Sequence, residues 1–405
     1  MDVGMRFEDI RDYSEEIYNT LIELLKTPGP SFSCARTLEN KEKGIKEYPM
    51  TKKIKEIIGK FEKECDIKLV EDHGNIVLIG GLDLNNAAEE DIRNIPIVLG
   101  AHLDEITFLV TNKIRDDNKV LYPLCSPPTR DFIHREAKVL GLRNGELQSI
   151  CDGKLYAEEI RKIRRDGSVQ IENWRYLLKA EKPEQVLPGD VVTQNYMEIK
   201  GYVGPQSVIA SKALDDRVGV VSVLYALRFL SKHMPIKAIL SGDEEGFPRD
   251  TSWARLILPT YRRFCRHDVI TILCDGVNGA DIKEYPEDNE NFLPHALFVP
   301  YTAEGKGGGD YRLFSIIKEK VVPICEKNDF KIRTLTDYVS RSFDPKIMNE
   351  YPLITFIDWS NGLVNIPYFK CHYHEEILFE QVLNIIGCIF WACTYLKENY
   401  AKFPL

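Results

Sequence analysis

The sequence predicts an α/β protein, a mixed sheet flanked by helices with a small all-β domain inserted into it, and three observations carry that prediction. Apolar runs such as "IPIVLGAHLDE" end in polar side chains, as strands of a parallel sheet do when they deliver residues to their carboxyl edge. Stretches of helical periodicity alternate with such runs on both sides of the chain's middle. Over about residues 113–205 the texture changes to short alternating runs, "GELQSI", "GKLYAEEI", "SVQIENW" and "DVVTQNYMEI", separated by Gly and Asp turns. These observations divide the chain into a first α/β part over 1–112, an inserted β domain over 113–205 and a second α/β part over 206–405.

The elements follow in order. "YSEEIYNTLIELLKTPGPS" has the apolar spacing of a helix that Pro28-Gly29-Pro30 stops, and "MTKKIKEIIGKFEKEC" is a second amphipathic helix. "DIKLVEDHGNIVLIGG" is two strands around an Asp-His-Gly-Asn turn. After the β domain, "DDRVGVVSVLYALRFLSK" is helical, and "PIKAILSGD" and "VITILCDGV" are strands. "DYRLFSIIKEKVVPICEKN" is a helix, "ITFIDWSNGLVNIPYF" a strand region, and "VLNIIGCIFWACTYL" lies in a last, buried helix.

Composition narrows the function classes. The 405 residues are 44% hydrophobic and 28% charged, as in ordinary globular proteins, and the length leaves room for two domains. Asp and Glu number 62 against 53 Lys and Arg, a net charge of −9, and no basic patch offsets this balance, which argues against nucleic-acid binding. The opening "MDVGMRFEDIRDYSEEIYNT" lacks the apolar core of a secretory signal, and the apolar stretch over 382–396 is shorter than the roughly 18 residues of a membrane span. A soluble, cytoplasmic protein without a membrane partner is expected. The ten cysteines, with no CxxC pair, fit reduced thiols.

Polar residues punctuate the ends of apolar strands and the starts of helices at His102 with Asp104, Asp215 with Asp216, Glu244 with Glu245, Asp275, and His372. Singly, each has a plain structural reading: an Asp before a helix caps it, adjacent glutamates face solvent, a lone histidine packs. Jointly they change meaning, because strand carboxyl ends in an α/β sheet converge on one crevice. Imidazoles and carboxylates gathered there form a costly cluster unless a cation neutralises them. Nitrogen and carboxylate ligands without thiolate suit zinc, cobalt or manganese.

Several segments resemble one family. "AHLDEITFLV" is similar to the AH-x-DE-x-x-F-x-V segment of the glutamyl and deblocking aminopeptidases, two-metal, self-compartmentalising metallopeptidases of the TET type. "KALDDRVGV" resembles their K-A-x-D-D-R-x-G helix start, "LPGDVV" a turn near the end of their inserted β domain, "GDEEGF" their Glu-Glu pair, and "NGLVNIPYFKCHYHEE" their last strand and ligand histidine. The resemblance implies a phosphorylase/hydrolase-like fold of the zinc-peptidase type and a metal-dependent aminopeptidase acting on short peptides. It implies two divalent metal ions per chain, zinc first, with cobalt or manganese as alternatives. His102 and Asp275 would hold one ion, Glu245 and His372 the other, and Asp215 would bridge them. Asp104 would orient His102 and Glu244 would be the general base. His374 stays open as an alternative to His372, and Glu105 is read as structural. The resemblance further implies a homo-oligomer, a dimer or larger, assembled through the β domain.

Departures bear on substrate. The family's G-G-T-D-A segment is replaced by "SRSFDPKIMNEYP", and its Arg after Ile-Pro-x by Phe369. Two other readings therefore stand beside the aminopeptidase: an amidohydrolase or deacylase acting on a small non-peptide amide, and a catalytically inactive peptide-binding homologue. "EGKGGGDY" has the glycines of a phosphate loop without its GKS/T ending and is read as a loop.

Overall fold

The fold is a mixed α/β sheet flanked by helices, with a small closed β-barrel beside it. It is seen in a computed structural model that describes residues 5–31, 48–61, 64–83, 85–123, 135–164, 169–200, 207–245, 252–278, 295–299, 311–334, 351, 353–361 and 375–399. The strands are β1 (Ile67–Asp72), β2 (Asn75–Gly80), β3 (Ile97–His102), β4 (Thr107–Arg115), β5 (Asn118–Pro123), β6 (Arg135–Arg143), β7 (Glu146–Ile163), β8 (Val169–Ala180) and β9 (Val191–Gln194). They continue with β10 (Met197–Lys200), β11 (Val208–Ser211), β12 (Ile236–Ser241), β13 (Ile270–Leu273), β14 (Gly276–Asn278), β15 (Ala296–Val299), β16 (Ile332–Thr334), β17 (Ile354–Asn361) and β18 (Glu375–Leu378).

The main sheet runs β1-β2-β12-β3-β13-β17-β15-β16, with β14 on β17. β12, β3, β13 and β17 are mutually parallel, so their carboxyl ends share one edge. Every residue of β2, β3, β12 and β13 is buried, because helices cover both faces. Alternation sends Ile76, Leu78, Ile97 and Leu99 into one core, and Val77, Ile79 and Val98 into the other. The helix Leu214–Leu230 is buried at every position and packs against both the sheet and the long helix Phe379–Asn399, which also meets the sheet at β17 and β15. That last helix is long and apolar enough, by length and composition, to cross a membrane. Its most apolar 18-residue window is nonetheless 78% buried within the protein, as the core helix of a globular fold would be.

The barrel closes as β4-β5-β8-β7-β6-β9 around Phe108, Val139, Leu155, Tyr176 and Leu178. One expectation is corrected. "GELQSI" and "GKLYAEEI" are not separate strands divided by a turn but one strand, β7, through Cys151-Asp152-Gly153. A Cβ at Gly153 would stand 2.7 Å from the Lys179 carbonyl oxygen, so this glycine marks a close approach of two strands. Beyond the barrel, β10, β11 and β18 form a small antiparallel sheet that links it to the α/β part.

The helix segment 311–327 contains a widened turn at Ile317–Val321, just before Pro323. Proline lacks the N–H that a regular turn would use, and its ring crowds the carbonyl four residues back.

Candidate functional site

Strand order builds the site. β12, β3 and β13 are neighbours; Glu244 and Glu245 follow the end of β12, His102 is the last residue of β3, and Asp275 follows the end of β13. Asp215 enters from the start of the helix Leu214–Leu230. There Ala213 takes the left-handed conformation (φ 54°, ψ 24°), and Asp215 and Asp216 leave helical geometry before the helix proper begins. The chain therefore turns Asp215 toward the sheet edge instead of using it as a regular helix cap.

Two groups of potential ligand atoms result: His102, Asp215 and Asp275, and His102, Glu244 and Glu245, the atoms within each lying within 4.8 Å of one another. His102, Asp215 and Glu245 are buried; Asp275 and Glu244 are partly so. His372 and its alternative His374 lie outside the described residues, as do "EGKGGGDY", "SRSFDPKIMNEYP" and Phe369.

Asp104 is the hub. Its Oδ1 accepts the Glu244 N–H at 2.9 Å, and its Oδ2 accepts the Glu245 N–H at 2.8 Å and the Ser31 hydroxyl at 2.7 Å. The same Oδ1 stands 3.4 Å from His102 Nδ1. One carboxylate, 1% exposed, thus holds the backbone of both glutamates after β12 and lies beside the imidazole of β3. Asp216 plays a parallel part, accepting the backbone N–H of His102 at 3.3 Å and of Gly219 at 2.9 Å.

The site's electrostatics call for a cation. Two like charges about 4 Å apart repel by ~4 kcal/mol at an effective dielectric of 20, and several carboxylates share this crevice. Burial and the neighbouring Glu245 push the Glu244 carboxyl up to about 8, against the pull of His102. Burial, with Asp275 and Asp215, raises Asp216 well above the usual carboxylate range. Burial alone would lower His102, but its contacts with Asp104, Asp215 and Glu244 outweigh that and raise it. The geometry fits a metal ion: His102 Nε2 lies 3.2 Å from Asp215 Oδ1, and two ligands ~2.0–2.1 Å from a tetrahedral zinc stand ~3.3–3.4 Å apart.

Glu105, read from the sequence as structural, has buried partners here, whereas Lys212, Arg217 and Ser31 escaped the sequence reading. Glu105 accepts the Gly29 N–H at 2.8 Å and receives Lys212 Nζ at 3.0 and 2.8 Å on its two oxygens, all buried. Arg217, fully buried, donates to the Leu103 carbonyl, and a Cβ at Gly29 would strike its guanidinium. These cations offset part of the negative charge from behind, and burial lowers the proton affinity of both. Their letters stood within "AHLDE" and "KALDDR", so the motifs contained the signal. Ser31, beyond the Pro-Gly-Pro stop, offered no signal of its own.

No family model matches the chain, and no curated protein matches it. Solved structures do share its fold. A TET aminopeptidase from a marine-sediment Thaumarchaeota archaeon superposes with a TM-score of 0.64 at 13% identity, over 93% of this chain and 96% of that one. An aminopeptidase from the archaeon Desulfurococcus kamchatkensis gives 0.61 at 18% identity, over 95% of each chain. A Pyrococcus horikoshii TET1 peptidase, able to assemble into a tetrahedron or a large octahedral shell, gives 0.58 at 16% identity, over 93% and 98%.

Proposed function

We propose, from a fold shared with TET-type aminopeptidases, that this chain is a metal-dependent aminopeptidase that removes N-terminal residues from short peptides. The observation that carries the reading is the convergence of His102, Asp215, Asp275, Glu244 and Glu245 at one edge of that fold's sheet. In this reading two divalent cations bind per chain, zinc first and cobalt or manganese as alternatives. His102 and Asp275 hold one, Glu245 and His372 hold the other, and Asp215 serves both. When bound, such a pair supplies Lewis acidity for a scissile carbonyl and makes water a competent nucleophile near neutral pH.

Glu244 is the general base. Its burial beside Glu245 raises its affinity for a proton, as suits a group that takes one from the attacking water and returns it to the leaving amine. Asp104, bonded to the backbone of both glutamates, keeps base and ligand in fixed relation. The surplus of carboxylates also favours a substrate that presents a free ammonium group. The barrel, which opens with β4 at Thr107 and otherwise lies in the inserted domain over 113–205, serves assembly into a dimer or larger oligomer in the cytoplasm.

A panel of amino-acid anilides and N-acyl amino acids, with zinc, cobalt or manganese added, tests the reaction. Anilide cleavage is expected. Turnover of the N-acyl compounds alone would replace the aminopeptidase with a deacylase, and no turnover despite bound metal would leave a peptide-binding homologue. Glu244→Gln is expected to keep its metal and lose about a hundred- to ten-thousandfold in kcat.

A further inference from the structure

Asp215 is held by more than its own helix. Its backbone N–H donates to Glu375 Oε2 at 3.0 Å, and both residues are buried. Asp215 has non-helical dihedrals (φ −81°, ψ 101°), so its orientation depends on what its backbone meets. Glu375 opens β18 and sits opposite Ser211 of β11, four residues before Asp215. Its own N–H donates to the Tyr196 hydroxyl at 3.1 Å. The Tyr196 carbonyl accepts the Lys212 N–H at 3.2 Å, and the guanidinium of Arg135, the first residue of β6, lies 5.0 Å from the centre of the Tyr196 ring.

The space bounded by Gln194, Tyr196, Lys212, Asp215 and Glu375 has a volume of about 10 Å³, room for one water at most. Among the described residues, Glu375 stands outside both groups of potential ligands.

We infer that Glu375, supported by Tyr196, is a positioning residue for Asp215, and that this hydrogen-bonded chain ties the barrel to the cation-binding centre. The inference rests on the proposed metal centre and adds residues to it. Removing the Glu375 acceptor leaves a buried N–H to find a new partner, and the Asp215 carboxylate turns with its backbone. Partners that orient metal ligands typically contribute 10–100-fold in metal affinity.

The test is zinc affinity of the full-length protein, measured by competition with a chromophoric chelator. Glu375→Ala is expected to weaken binding by about 10–100-fold. Glu375→Gln, whose amide oxygen accepts the same N–H, is expected to stay within about threefold of wild type, because the role is geometric and not ionic. Tyr196→Phe leaves the ring and removes the hydroxyl; a loss of several-fold is expected, and it reports even if Glu375→Ala does not fold. Unchanged affinity in Glu375→Ala or Tyr196→Phe, even with a lowered melting temperature, overturns the positioning role. So does an equal loss in Glu375→Gln and Glu375→Ala, which would make Glu375 an ionic participant. If wild-type protein binds no zinc, cobalt or manganese, the metal centre itself fails; if it binds zinc and Asp215→Asn weakens that binding, the centre stands whatever Glu375 does.

Discussion

Gly219 follows Asp216 by three residues, and a Cβ added there would lie 2.2 Å from Asp216 Oδ2. The glycine of "KALDDRVG" therefore makes room for the carboxylate that accepts the N–H groups of His102 and of Gly219 itself. Two effects oppose each other in Gly219→Ala. Helix propensity favours alanine by about 1 kcal/mol, whereas crowding a packed, hydrogen-bonded site costs about 1–3 kcal/mol. The backbone around Gly219 is fully buried, so the second effect should win. Urea denaturation is expected to show net destabilisation of Gly219→Ala, and a stabilised variant would mean that Asp216 has another place to go. At this scale the motifs named His102, Asp104, Asp215, Glu244, Glu245 and Asp275, which the structure brings near one another, but gave no sign of Ser31 beside Asp104. Side chains that touch across 70 or more residues of sequence, as Ser31 and Asp104 do, have no local signature.

Hairpin β1–β2 turns at His73 (φ 53°) and Gly74 (φ 85°), as the Asp-His-Gly-Asn letters predict. What the letters do not reveal is that Asp72, at the end of β1, fastens this hairpin to the helix Ser252–Phe264. Its carboxylate receives Thr260 Oγ1 at 2.6 Å and Arg263 Nη1 at 2.8 Å, with His73 Nδ1 at 3.1 Å. Burial alone would raise this carboxyl, but these donors outweigh it and hold it below the usual range. A carboxyl whose folded value lies below its unfolded one, about 3.9, stabilises fully above that unfolded value. It loses the contribution as pH falls through the folded one. The stability gap between wild type and Asp72→Asn is therefore expected to be constant from about pH 7 to 5 and to narrow through the acidic range. A gap that widens on acidification, measured by denaturant titration at a series of pH values, contradicts the account. Lys237 makes the same point within β12. Strand patterning offers no reason for a fully buried lysine, yet its Nζ meets the carbonyls of Phe264 at 2.7 Å and Ile92 at 3.2 Å, at the ends of two helices.

For the whole molecule, the exposed large apolar side chains among the described residues, Ile114, Tyr122, Leu187, Met197 and Ile199, belong to the barrel and the adjoining β10. Among the described residues, the α/β part buries its own. That distribution favours the barrel as the part that meets other subunits. Light scattering at micromolar concentration is expected to give a dimer or larger, and replacing the barrel with a Gly-Ser linker is expected to reduce the mass to that of a monomer. A monomeric intact chain removes the assembly proposal and leaves the proposed metal centre untouched.

The sequence by itself determined the fold class, the apolar strands with polar ends and the letters of the centre, because periodicity and strand termini are local properties of a chain. Tertiary structure alone decided that β3 lies between β12 and β13, which brings residue 102 against residues 244, 245 and 275. It also decided that β7 passes unbroken through Gly153, and that Lys212, Arg217 and Lys237 are interior cations with assigned partners. Strand order is set by how two faces of a sheet bury against helices distant in sequence, and an interior charge is tolerated only where such distant partners meet it.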